Sequence, residues 1–105
     1  MNSPFCHVVH FWLKKDVTDA QRQTFIEEVK KLANSEHVSE FRLGKPAGTP
    51  REIVDNSYDY QILVGFESQA AHDAYQNASD EVHTHFVNTC KEMFAKVLIY
   101  DSLCV

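Results

Sequence analysis

Four histidines of the 105-residue chain fall in two close pairs, His7 and His10 in FCHVVHFWL and His83 and His85 in DEVHTHF. Two imidazoles so near in sequence raise the question of a metal site. On a helix, residues two apart point about 200° away from each other, whereas a chelate needs a spacing of three or four. On a strand, His7 and His10 project to opposite faces. Neither pair can hold one ion, so no metal and no cofactor are expected from them. A hard cation held by backbone carbonyls would leave no trace in sequence.

A catalytic base is the other chemistry an imidazole offers. It titrates near ~6.5, which suits removal of a proton next to a carbonyl, and such catalysis contributes roughly 10²–10⁴-fold when the geometry is right. His83 falls near the start of a helix, one position off the Val82–Phe86 row and close to the core boundary. His85 falls on the opposite, solvated side. His83 is therefore the candidate base, against the plainer reading that it caps or hydrogen-bonds locally and that His7 or His10 is a satisfied core histidine. If the odd positions of the first strand line a cavity, His7, Val9 and Phe11 are its candidate ligand-binding residues.

Other catalytic signatures are missing: no GxGxxG or Walker loop, no GxSxG elbow, no HExxH. Gly44-Lys45-Pro46-Ala47-Gly48 looks superficially like a phosphate loop. Pro46 removes an amide, however, and no Ser or Thr follows the lysine, so a turn is expected. Cys6, Cys90 and Cys104 form no CxxC pair and read as small hydrophobes in a reduced, cytoplasmic chain. The N-terminus shows no basic stretch leading into an apolar run. No apolar run approaches the ~18–20 residues of a membrane span. The net charge of -5 gives no basic field for nucleic acid.

The elements that must position these residues follow from periodicity. The length suits one domain, residues 1–105. Phe5 to Leu13 is apolar on both faces, a strand covered on both sides. Thr18-Asp19-Ala20-Gln21 matches a capping box, and Phe25, Val29, Leu32 and Ala33 mark a helix over about residues 19–34. A polar strand is expected over Val38–Lys45, then a loop from Pro46 to Asn56 whose Asp55-Asn56-Ser57 end makes Asx-type bonds. Tyr58, Tyr60, Ile62, Val64 and Phe66 alternate with polar or small residues as a third strand. Ser68 caps a short helix over about 69–76, and Ser79 or Asp80 caps another bearing Val82, Phe86, Val87, Cys90 and Phe94. Lys96 to Leu103 closes the chain as a strand.

This β-α-β-β-α-β order, with its second helix broken in two, predicts an α+β ferredoxin-like sandwich with a four-stranded antiparallel sheet. The first and third strands carry more apolar surface than one helical layer can cover. A homodimer stacked through the second sheet face is the simplest cover, and the space between the sheets is the expected place for a cavity.

Read together, His7-Val8-Val9-His10-Phe11-Trp12-Leu13-Lys14, Gly44-Lys45-Pro46-Ala47, Val54-Asp55-Asn56-Ser57-Tyr58-Asp59, Ala74-Tyr75-Gln76, His83 with Phe86-Val87, and Val97-Leu98-Ile99-Tyr100-Asp101 resemble the Dabb family of stress-responsive dimeric α/β-barrel domains. The resemblance implies a ferredoxin-like dimer forming a barrel, with an activity that is unassigned for most members. For this chain a small apolar or carbonyl ligand held in the barrel is the expectation. One plant member, olivetolic acid cyclase, is a cofactor-free cyclase with a histidine base in a His-Pro-x-His segment and a tyrosine upstream. By that resemblance His83 corresponds to the base and Tyr75 to the tyrosine. The alternative implied function is thus a cyclase, isomerase or lyase acting on a polyketide-like carbonyl compound, with His83 as general base. The segment here is Asp80-Glu81-Val82-His83, without the first histidine or the proline, and the Tyr75–His83 gap is two residues longer.

Overall fold

The computed structural model describes residues 3–77 and 79–105. Strand β1 (Phe5–Leu13) is followed by α1 (Asp19–Lys30), β2 (Glu40–Gly44), β3 (Tyr60–Phe66), α2 (Gln69–Gln76), α3 (Glu81–Cys90) and β4 (Phe94–Leu103). The strands form one antiparallel sheet in the order β2-β3-β1-β4, with β1 at its centre between β3 and β4. This is the ferredoxin-like α+β architecture.

Local chemistry accounts for each boundary. Thr18 accepts from the Gln21 amide and the Gln21 side chain accepts from the Thr18 amide, so the capping box forms at both ends. Helix α1 stops at Lys30 and tightens into a 3-10 turn over Lys31–Asn34, where the Ser35 amide bonds the Leu32 carbonyl. The expected helix to residue 34 is therefore helical throughout but changes pitch at its end. Ser68 accepts from the Ala71 amide to start α2, and Asp80 rather than Ser79 caps α3 by accepting from the His83 amide. The amide of Ser57 donates to Asp55 Oδ1, closing the Asx turn before β3.

Alternation in β1 is complete: Phe5, His7, Val9, Phe11 and Leu13 are buried, while Cys6, Val8, His10 and Trp12 are half-buried. The buried set packs under the helices with Phe25 and Val29 of α1, Tyr75 of α2, Phe86 and Cys90 of α3, and Ile62, Val64 and Phe66 of β3. Phe25 sits at the hub, edge-on to Phe11 at 5.2 Å between centroids and stacked on Tyr60 at 5.1 Å. The other sheet face carries Val8, His10 and Trp12 opposite Tyr100, Leu98 and Lys96 of β4. No helix covers it among the described residues.

Three expectations are corrected here. Phe94, read from its spacing as part of the last helix, instead opens β4, because α3 ends at Cys90 and a 3-10 turn over Lys91–Met93 follows it. Tyr58 does not share a face with Tyr60. It precedes the strand, and its ring lies against His10 (4.8 Å) and Trp12 (6.4 Å) on the open face. A pattern of two holds only while the backbone is extended and paired, and pairing of β3 with β1 begins at Tyr60. The cavity lined by the odd residues of β1 also lies between sheet and helices rather than on the face turned away from them.

Candidate active site

An internal cavity of about 230 Å³ opens beneath α2 and α3. Its walls are apolar, built from Val9, Phe11, Leu32, Ile62, Phe86, Val87 and Phe94, and four polar side chains, His7, Tyr75, Gln76 and His83, join them. Val97 and Ile99 line its β4 side and remain 39% and 48% exposed, so the mouth lies at that edge strand. His83, Tyr75, His7, Val9 and Phe11, nominated from the sequence, are all among the lining residues.

Tyr75 comes from the last turn of α2 and is 1% exposed. His83 comes from the first turn of α3, and the two rings meet at 4.6 Å. The fixed point between the helices is Asp80. Its Oδ1 accepts from the His83 amide at 3.1 Å, and its Oδ2 accepts from the buried Ser35 hydroxyl at 2.7 Å. One carboxylate thus holds the start of α3, and with it His83, to the end of the α1 segment. His85, two residues on, has a side chain 60% exposed and bonds Glu28 on the surface at 3.1 Å.

Burial, opposed by the Asp80 carboxylate, lowers the pKa of the His83 imidazole below its ordinary value of 6.5, with a smaller push from His7 and His72. Burial and the Asp80 charge raise that of the Tyr75 phenol far above its ordinary 10.0. At neutral pH the pair is a neutral imidazole beside a protonated phenol: one group able to take a proton and one able to donate a hydrogen bond.

His7 stands on β1 at the same end, 6.2 Å from the Tyr75 ring. It is 4% exposed, and its Nδ1 lies 2.5 Å from Asp101 Oδ1 on the neighbouring strand, where the register pairs His7 with Asp101. Burial outweighs that carboxylate and His7, too, titrates below 6.5. His7 Nε2 faces the Gln76 amide at 3.4 Å. Beyond it is His72, its ring stacked on Phe5 at 4.5 Å and 5.2 Å from the His7 ring. The sequence reading gave no site role to His72, Gln76 or Asp101. Asp101 follows Val97 and Ile99 on the helix-facing side of β4, and His72, Tyr75 and Gln76 lie three and four apart on α2. Those spacings were the available signal, but only the fold sets the two elements beside His7.

The two histidine pairs remain apart in the structure: His10 lies on the open face, its Nε2 2.8 Å from the Gln61 amide, and its Nδ1 is buried without a partner.

No protein of curated function matches the chain. Among solved structures, an Arabidopsis thaliana protein is 24% identical over 97% of this chain and 96% of its own, with a TM-score of 0.80. A hydroxynitrile lyase from Passiflora edulis is 16% identical, covers 96% of this chain and 93% of its own, and gives a TM-score of 0.81. A Dabb family protein with a ferredoxin-like fold from Mesorhizobium loti is 21% identical over 96% of both chains, with a TM-score of 0.75. At these identities the likeness is one of fold. Several other matching structures are described as dimeric ferredoxin-like proteins. The model of the stress responsive A/B barrel domain, Dabb, matches residues 5–104, and the protein belongs to that family.

Proposed function

We propose that the protein is a homodimer in which each cavity binds a small, largely apolar compound carrying one carbonyl or hydroxyl oxygen. The observation that carries this reading is the convergence of His7, Tyr75, Gln76 and His83 on an otherwise apolar cavity. A dry cavity of ~150 Å³ accepts benzene, so about 230 Å³ suits a ligand of roughly ten non-hydrogen atoms. The polar groups then orient its oxygen while Val9, Phe11, Ile62 and Phe86 take its hydrocarbon part. The dimer forms through the open sheet face, where Val8, Trp12, Tyr58, Leu98 and Tyr100 are left without a helical cover. The dimeric form of similar folds supports this arrangement. Three unpaired thiols fit a cytoplasmic location.

A second reading adds chemistry at the same place: cofactor-free proton transfer with His83 as base and the Tyr75 hydroxyl as donor to the substrate oxygen. The neutral imidazole of His83 favours it, and the likeness of fold to a hydroxynitrile lyase supports one concrete form. His83 would take the hydroxyl proton of a cyanohydrin, the carbonyl would form as the carbon–carbon bond breaks, and cyanide would leave with the electron pair and recover a proton. Proton abstraction next to a carbonyl, leading to cyclisation or isomerisation, needs the same two groups.

NMR titration with benzaldehyde and acetophenone tests the binding reading: shifts should centre on α2, α3 and β1, and Val9→Trp should abolish them by filling the cavity. Shifts that persist in that variant would place binding elsewhere. Release of benzaldehyde from mandelonitrile tests the lyase form. Turnover should fall roughly 10²–10⁴-fold in His83→Ala while benzaldehyde binding is retained. Turnover unchanged by that substitution removes His83 from the chemistry.

A further inference from the structure

We propose that His7, His72 and Asp101 form a binding site for a divalent transition-metal ion, with Zn²⁺ and Co²⁺ the best matches. The three residues come from β1, α2 and β4, and one donor atom of each lies within 4.8 Å of the other two. His7 Nδ1 is 2.5 Å and His72 Nε2 is 3.8 Å from the Asp101 carboxylate. A tetrahedral ion with bonds of ~2.0–2.2 Å separates its ligands by roughly 3.3–3.5 Å. Moderate side-chain rotations of His72 and Asp101 therefore close the set, while His7 stays where the core holds it. The Asp101 side chain is 40% exposed, which leaves an entry path and a fourth position for water.

The surroundings prepare the imidazoles to be ligands. A metal-bound histidine almost always donates its other N–H to a carboxylate or carbonyl, which fixes the tautomer. His72 Nδ1 lies 3.0 Å from Asp73 Oδ1, so the proton belongs on Nδ1 and the Nε2 lone pair points towards Asp101. His7 has its Nδ1 at the carboxylate and its Nε2 at the Gln76 side-chain amide, whose oxygen can accept the Nε2 proton after rotation of the amide. Bound metal would replace the Nδ1 proton that His7 donates to Asp101. Among the described residues, no lysine or arginine pairs with any of the three. Two imidazoles and one carboxylate favour zinc, cobalt or nickel over magnesium or calcium, which prefer oxygen ligands throughout.

The spacing argument against a chelate concerned neighbours in sequence, and it stands for His7 with His10 and for His83 with His85. The proposed site escapes it because 65 residues separate His7 from His72 and a further 29 separate His72 from Asp101.

The test is titration of the metal-free full-length protein with Zn²⁺ against a chromophoric chelator, and with Co²⁺ followed by its visible d–d absorption. We expect about one equivalent per chain, a Kd in the micromolar range or tighter, and the intense bands of four-coordinate cobalt. His72→Phe keeps a ring against Phe5 and Phe66 but removes both donors. It should weaken binding at least ~100-fold, as should Asp101→Asn, whereas Asp73→Ala, acting on the outer partner, should cost about tenfold. His85→Ala, which removes an exposed imidazole, should change nothing. Failure to bind either ion below ~100 μM, or binding that survives His72→Phe or is lost with His85→Ala, overturns the proposal and leaves the three residues as a hydrogen-bonded triad.

Discussion

Asp80 fixes the site through two hydrogen bonds from one carboxylate, and replacing it separates capping from charge. In Asp80→Ala the His83 amide loses its cap, a loss worth about 1 kcal/mol. The Ser35 hydroxyl, in a residue 4% exposed, loses its acceptor, a further cost of about 1–2 kcal/mol. The two effects share one side chain and so need not add fully, but together they predict about 2–3 kcal/mol, or a fall in Tm of about 10–15 °C for a chain of this size. Asp80→Asn keeps an oxygen for the cap, and its amide can donate to Ser35 once the hydroxyl rotates. It should lie within about 1 kcal/mol of the parent. Both substitutions remove the charge that raises the His83 pKa, so both should lower its titration further below 6.5. Urea unfolding gives the stabilities, and NMR of the imidazole protons gives the titration. Should Asp80→Asn prove as destabilising as Asp80→Ala, or Asp80→Ala cost less than about 0.5 kcal/mol, the reasoning that Asp80 holds α3 through hydrogen bonds is wrong.

His7 and His83 both titrate below 6.5 because burial disfavours their charged forms, so the unfolded chain binds more protons than the folded one once the pH drops past 6.5. Stability should accordingly be level above that value and decline from about 6.5 downwards to the folded-state pKa values, as read by urea melts from pH 8 to 5; a flat profile over that window contradicts the burial argument. On the open sheet face, Trp12→Asp places a charge where Lys96 lies 4.5 Å over the indole and the Ser57 hydroxyl accepts its N–H. Sedimentation should show the variant as a folded monomer, whereas an unchanged dimer would move the interface elsewhere. Cys104 is exposed, while Cys90 is fully buried with its thiol pushed up to about 11. A thiol reagent should modify Cys104 rapidly and Cys90 only on unfolding, and mass spectrometry of the labelled peptides separates the two.

The site joins two kinds of support. Its apolar wall comes from the middle of the core, where Phe11, Ile62 and Phe86 are already needed to hold the helices on the sheet. Its polar groups come from element ends: Tyr75 from the close of α2 and His83 from the opening of α3. Burial thus depresses His83 and raises Tyr75 at once, leaving both neutral at pH 7 without any charged partner being removed. The break between α2 and α3 provides this juxtaposition.

Local patterns in the chain were sufficient for the element order, the caps of α1 and α2 and the alternation of β1, because each depends on residues within a turn or two of one another; for α3 they narrowed the cap to Ser79 or Asp80, and the structure selects Asp80. The separation of His83 from His85 was legible for the same reason: a helical step of 100° sends one ring inwards and the other to Glu28 at the surface. The face taken by Tyr58 was not, since extended pairing begins two residues later and that depends on where β1 lies. Nor was the side of the sheet that holds the cavity, because an alternating strand shows that it has two faces without showing which one the helices cover. His72 and Asp101 meet His7 only through the packing of α2 over the sheet and the register of β4 against β1. Contacts spanning 94 residues are set by the closing of the whole sheet, and no spacing within a single element can encode them.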